Sequence, residues 1–274
     1  MSSRTWTPGA VSRNQPFDSY AGALAQGRRR LSGSCWRIVE AQHRVSTMKV
    51  VDTAEEQAVL EILLDDTKAA IPGECRHLHY LLFTPFRYGA PYPDGSRFRR
   101  AGYTPGVFYA SETVDVAIAE MAFHRLLFFL DAPAVPWPAN AIEHTAFSVA
   151  FKTGFAMDLT KPPFARDRAQ WAHRTDYAAC QAFADEARAA GAEVLRYESA
   201  RTSGPRPGIN IALLTCRAFV SRKPLAMQTW RLHMNAHGVR AIGDGPAGPL
   251  EFDRDAFADD PRVATLGWDR PARR

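Results

Sequence analysis

Three arginines, Arg97, Arg99 and Arg100, precede a short strand-like run that carries Tyr109, and Glu120 follows on a helix-like stretch. Guanidinium groups clustered on a loop beside a carboxylate-bearing helix suit an anionic ligand such as a pyrophosphate, because the planar fork bonds phosphate oxygens in pairs. A solvated arginine turn is the plainer alternative. Glu120 shares a stripe, by i±3 and i±4 spacing, with Val116, Ala117, Phe123 and His124, and with Leu127 one turn on. Either it reaches past those apolar neighbours to water, or it is a partly desolvated acid beside a pocket, able to oppose developing positive charge.

The elements that must position these groups are legible locally. Pro105-Gly106 closes off Val107-Phe108-Tyr109-Ala110, a β-branched and aromatic run that reads as a strand leaving a turn. Ser111 or Thr113 can cap the next segment, with Glu112 and Asp115 in its first turn, so a helix is expected from about Val114 to Leu127. Cys35 to Val39 reads as the first core strand, with Trp36 and Ile38 on one face and Arg37 on the other. Arg37 is a ligand arm if that face is a cleft, and surface decoration if it is solvent. Glu193 to Glu198 is a strand delivering Ser199 to a Gly/Pro loop, Gly204 to Gly208. There the hydroxyl either turns to a ligand or caps a turn.

Elsewhere, Thr53 and Glu56 form a capping box for a helix running to about Lys68, whose Val59, Leu60, Leu63 and Leu64 read as a packing stripe. His77-Leu78-His79 reads as a strand continuing to Phe83, without a third metal ligand at suggestive spacing. Residues 84–95 form a proline- and aromatic-rich loop suited to walling a site. Further strands are expected at 146–151, 155–159, 209–216 and 228–234, and a helix at 176–190 with Gly191 as its C-cap. The domain reading is a loose extension over 1–33, one catalytic domain over 34–236 with an insertion at about 41–94, and a surface tail over 237–274.

The 274 residues carry a net charge of +5 and 46% hydrophobic side chains, an ordinary globular balance. The four cysteines, Cys35, Cys75, Cys180 and Cys216, are widely spaced and indicate neither a zinc knuckle nor a disulfide framework, which fits a reducing cytoplasm. No stretch has the length of a membrane span or the form of a leader. P-loop, GxGxxG, HExxH and GxSxG motifs are absent from the sequence.

Arg37 on a first strand, Gly95-Ser96-Arg97-Phe98 on a turn, Tyr109 eleven positions (120 − 109) before Glu120, and Ser199 within Tyr197-Glu198-Ser199-Ala200-Arg201 together resemble the RES domain family, named for its arginine, glutamate and serine. The resemblance covers roughly residues 35 to 220 and is most specific between Arg97 and Glu120. This chain departs from the compact members in the sixty positions (97 − 37) between Arg37 and Arg97, in Phe98-Arg99 where Trp-Asn is usual, and in Ala178 where some members have a hydroxyl.

The resemblance implies an α+β (mixed α/β) fold with an ADP-ribosyltransferase-like split sheet and flanking helices. It implies a toxin that consumes NAD+ by cleaving the nicotinamide-ribose bond, through phosphorolysis or hydrolysis. NAD+ is then a substrate; no cofactor or metal is implied, and inorganic phosphate would be the co-substrate of phosphorolysis. Glu120, Arg37 and Tyr109 would be catalytic: Glu120 opposing oxocarbenium charge, Arg37 and Arg97 clamping the pyrophosphate, Tyr109 stacking on a ring. Ser199 would orient a ribose or amide group, with Arg99 and Arg100 as further substrate-binding residues. The implied partner is a helical, Xre-like antitoxin, with nucleic acid met only through that complex and homo-oligomerisation left open. The alternatives are a protein ADP-ribosyltransferase toxin and a non-enzymatic nucleic-acid-binding or interaction module on the basic N-terminus and arginine turn.

Overall fold

One long strand serves as the spine of this chain, and its two edges decide where everything else goes. In the computed structural model, residues 20–41, 51–66, 69–87, 95–102, 105–202, 206–245 and 248–270 are described. Residues 1–19 of the expected extension, residues 88–94 of the loop wall and the start of the Gly204 to Gly208 loop lie outside them. The chain opens with α1 (Ala21–Gly27) and β1 (Arg28–Glu40), followed by α2 (Ala54–Asp66) and a run of short helical turns that includes α3 (Tyr80–Phe83). Next come β2 (Phe108–Ser111), α4 (Val114–Asp131), β3 (Ile142–Asp158), α5 (Arg168–Trp171) and α6 (Ala178–Ala189). β4 (Val194–Glu198), β5 (Ile209–Leu213), β6 (Ala226–Asn235), β7 (Gly238–Gly243), β8 (Leu250–Asp253) and α7 (Pro261–Ala264) complete it.

β3 is the spine. One edge pairs antiparallel with β1 over most of its length, from Arg28↔Met157 to Glu40↔His144. The other edge is shared: its first half pairs with β6 and its last residues pair parallel with β4. β1 also touches β2 at Trp36↔Ser111, and β2–β5–β4 leads back to β3, so five strands close a ring while β6–β7–β8 fan outward. This is a mixed α/β fold whose sheet splits at β3, with helices on its flanks.

Alternation along the strands fills three cores. Phe108 and Ala110 of β2, Ile211 and Leu213 of β5, and Phe147 and Val149 of β3 pack inside the ring. α6 covers a second core through Cys180, Phe183, Ala184 and Ala187, joined by Tyr20 and Leu24. In the third, Ile118, Ala122, Phe123 and Leu126 of α4 meet Trp230 and Leu232 of β6 and the C-terminal Phe257 and Val263.

Several expectations need correction. β1 begins at Arg28 rather than Cys35, so residues 28–33 are sheet, not loose extension. The two strands expected at 146–151 and 155–159 are one, Ile142–Asp158, because β1 supplies a partner along most of it. His77 to Phe83 is helical turns: the His79 ring accepts from the Leu81 amide and caps α3, and its own amide donates to the Arg222 carbonyl. Thr53 and Glu56 do make the capping box, yet α2 leaves Val59, Ile62, Leu63 and Leu64 exposed instead of packing. Cys75 and Cys216, 141 positions apart, form a disulfide, which spacing alone could not reveal. Beyond residue 237 the chain is built into the fold: Arg270 donates to the carbonyls of Phe129, Ala132 and Val135, in the last turn of α4 and just past it. No helix among the described residues is long and apolar enough to cross a membrane.

Candidate active site

α4 carries Glu120 because Thr113 starts it at the right place. The Thr113 hydroxyl accepts from the Val116 amide at 3.4 Å, and Asp115 complements the helix dipole in the first turn. From that start, Ile118 and Ala122 point into the core while Ala117, Glu120, Met121, His124 and Leu127 line a cleft of about 640 Å³.

Two hydrogen bonds converge on one oxygen of Glu120. Ser199 Oγ donates to Oε1 at 2.7 Å and Asn210 Nδ2 donates to the same atom at 2.6 Å. Asn210 is oriented by Ser111, whose hydroxyl donates to Oδ1 at 2.7 Å, and the Ser199 hydroxyl accepts from the Arg201 amide at 3.0 Å. Ser111, Ser199 and Asn210 are buried, so these bonds are shielded from competing water. Glu120 Oε2 accepts no hydrogen bond from the described residues. One oxygen is thus fixed and the other is left for a ligand.

The arginine turn is held from below. Gly95, at φ +62°, lets Ser96 and Arg99 exchange backbone bonds at 2.7 and 3.2 Å, a conformation that side chains disfavour. The Tyr109 hydroxyl bonds Ser96 Oγ at 2.9 Å and accepts from the Phe98 amide at 2.9 Å, and Gln181 bonds the Ser96 and Arg99 carbonyls. Burial raises the Tyr109 hydroxyl to about 12. It stays protonated and works as a clamp on the turn.

Arg37, Arg97, Arg99, Tyr109 and Glu120 all line the cleft, and Ser199 stands behind Glu120. Arg37 donates to the Tyr109 carbonyl at 2.7 Å, its guanidinium 5.1 Å from the Phe108 ring. Arg97 turns inward, donating to the Trp171 and His173 carbonyls at 2.7 and 2.9 Å with Tyr177 over its face. Arg100 is outside the cleft, paired with Asp185 of α6.

Sequence reading missed Asn210, Arg201, Arg262 and the role of His124. Asn210 lies on the same face of β5 as Ala212, opposite Ile211, and an asparagine inside an apolar strand was the available signal. In the sequence His124 is marked only by its place on the α4 stripe. Desolvation lowers its imidazole, opposed by Glu120 and reinforced by Arg201, Arg262 and Arg97. Arg201 and Arg262 share Asp260, a fully buried carboxylate from the C-terminal segment. A cluster of Glu74, Cys75 and Cys216 has metal-ligand spacing, but its two sulfurs are bonded to each other.

No curated protein matches this chain. A solved structure titled "Crystal structure of the M.tuberculosis MbcT-MbcA toxin-antitoxin complex" is similar at 11% identity, with a TM-score of 0.41, covering 88% of this chain and 94% of that one. The model of the RES domain family matches residues 71–235. That stretch holds Arg97, Tyr109, Glu120, Ser199 and Asn210; Arg37 falls outside it, and residues 71–94, assigned above to an insertion, fall within it. Matched over more than half its length, this chain belongs to the RES domain family.

Proposed function

We propose that this chain is an NAD+-consuming, toxin-like enzyme that cleaves the nicotinamide-ribose bond, with water or inorganic phosphate as acceptor. The observation that carries the reading is the Glu120 carboxylate, fixed through Oε1 by Ser199 and Asn210 on the wall of an arginine-lined cleft. Family membership supports the same chemistry. In the reaction, nicotinamide leaves as a neutral base with the bonding electrons, and the ribose C1′ gains oxocarbenium character. A preorganised carboxylate opposes that charge without having to reorient at the moment of cleavage. Water then forms the new C1′–O bond and releases a proton, giving ADP-ribose; phosphate in its place gives ADP-ribose phosphorylated at that same carbon. The leaving group needs no metal, being uncharged once released. A helical, Xre-like antitoxin is the partner proposed on family grounds.

The test is to incubate the purified chain with NAD+, with and without inorganic phosphate, and to follow nicotinamide and ADP-ribose products by chromatography and mass. Release only with phosphate identifies a phosphorylase; release in both buffers identifies a glycohydrolase. Glu120→Gln should abolish release while keeping the fold. Turnover by that variant at the wild-type rate would overturn the proposal.

A further inference from the structure

Arg97, to which the resemblance assigns the pyrophosphate, is poorly placed for that task. Its side chain is buried, and Nη1 is committed to two backbone carbonyls on the far side of the turn. Arg262 is placed differently. It lies on α7, lines the cleft, and has a side chain 32% exposed. Nε and Nη2 grip Asp260 at 3.0 and 2.8 Å, and Nη2 also reaches the Arg174 carbonyl at 2.8 Å. The side chain also hydrogen-bonds the Tyr177 hydroxyl, and Nη1 meets no carboxylate or carbonyl among the described residues.

Asp260 also takes Arg201 Nη1 at 2.5 Å, so two guanidinium groups share one carboxylate and the set keeps one positive charge (2 − 1). Both cations pack on Phe123, with Arg201 at 3.6 Å and Arg262 at 5.2 Å from the ring centroid. Phe123 is three residues beyond Glu120 on α4, so this charge stands about one helical turn from the candidate carboxylate. A guanidinium fixed by a bidentate carboxylate and a tyrosine hydroxyl, yet partly exposed on the wall of a cleft, is preorganised for a phosphate oxygen.

We propose that Arg262, held by Asp260, is a substrate-binding residue that takes the pyrophosphate of the dinucleotide, a role this chain fills from outside the family-matched stretch. This rests on the reading of the cleft as an NAD+ site. Its test therefore uses ADP-ribose, which carries the pyrophosphate but lacks the scissile bond. Calorimetric titration of the full chain should show Arg262→Gln weakening ADP-ribose binding roughly 10- to 100-fold, the scale of a charge-assisted hydrogen bond. Arg262→Lys, which keeps the charge and loses the fork, should recover part of that loss, and adenosine binding should be unchanged in both. Wild-type affinity in Arg262→Gln, or an equal loss for adenosine, overturns the assignment. Nicotinamide release by the same samples separates the two readings. ADP-ribose binding that depends on Arg262, without release, keeps the subsite and removes the reaction; release with unchanged KM in Arg262→Gln removes the subsite and keeps the reaction.

Discussion

Asn210 Nδ2 lies 2.6 Å from Glu120 Oε1, although the two residues are 90 positions apart in the chain. The contact exists because β2 and β5 pair with Ser111 opposite Asn210, so that the Ser111 hydroxyl fixes the amide and the amide fixes the carboxylate. Removing the amide would leave Ser199 as the one hydrogen-bond donor to Glu120 among the described residues.

Asn210→Leu, close in volume and without donors, is therefore expected to lower kcat for nicotinamide release by roughly 10- to 100-fold, as for loss of a hydrogen bond to a charged group. KM should change much less, because the amide bonds the carboxylate rather than the substrate. Steady-state kinetics on a variant with unchanged circular dichroism would check this. An intact kcat would show that Ser199 alone suffices to orient Glu120.

Arg97 is expected to act on stability. Arg97→Met removes the donor that satisfies the Trp171 and His173 carbonyls, and should cost about 2–4 kcal/mol on the scale of a lost hydrogen-bonded charge. Urea unfolding measures it. A loss of substrate affinity without a fall in the unfolding midpoint would return Arg97 to the role of ligand clamp.

Acid should destabilise the fold through two histidines. Desolvation lowers His124 and His144 from the ordinary imidazole range, so the folded state disfavours their charged forms. Their unfolded counterparts titrate at about 6.5. Their stability is present in full above that value and is lost as pH falls through the depressed folded values, where the unfolded chain binds more protons. The urea midpoint should decline from neutral pH downward, and His124→Asn should make the decline shallower. An unchanged slope in that variant would mean that His124 does not contribute to the acid limb.

What could be read in the sequence was what local chemistry decides. The Thr113 cap, the dipole-matched Asp115 and the turn at Pro105-Gly106 place Tyr109 and Glu120 without reference to the rest of the chain. The Thr53 capping box and the Gly191 C-cap were equally local. Long-range partners were not legible. Residues 71–87 contain strand-like alternation around His77, but no strand among the described residues pairs with them and the segment folds into short helical turns against the ring core. Arg97 looks the same in sequence whether it faces the cleft or the carbonyls behind it. The polar and proline-rich C-terminus read as a tail because its anchors, Asp260 to Arg201 and Arg270 to the end of α4, draw on partners far back in the chain.

The Cys75–Cys216 bond encloses β2, α4, β3, α6, β4 and β5 within one covalent loop. Arg97, Tyr109, Glu120, Ser199 and Asn210 all sit inside it, while β1 enters the ring from outside and α7 closes the cleft from beyond its end. A protease cutting once anywhere between the two cysteines would leave the pieces tied, running as one species on a gel until a reductant is added. For the carboxylate wall of the cleft, backbone continuity and physical integrity are separate properties.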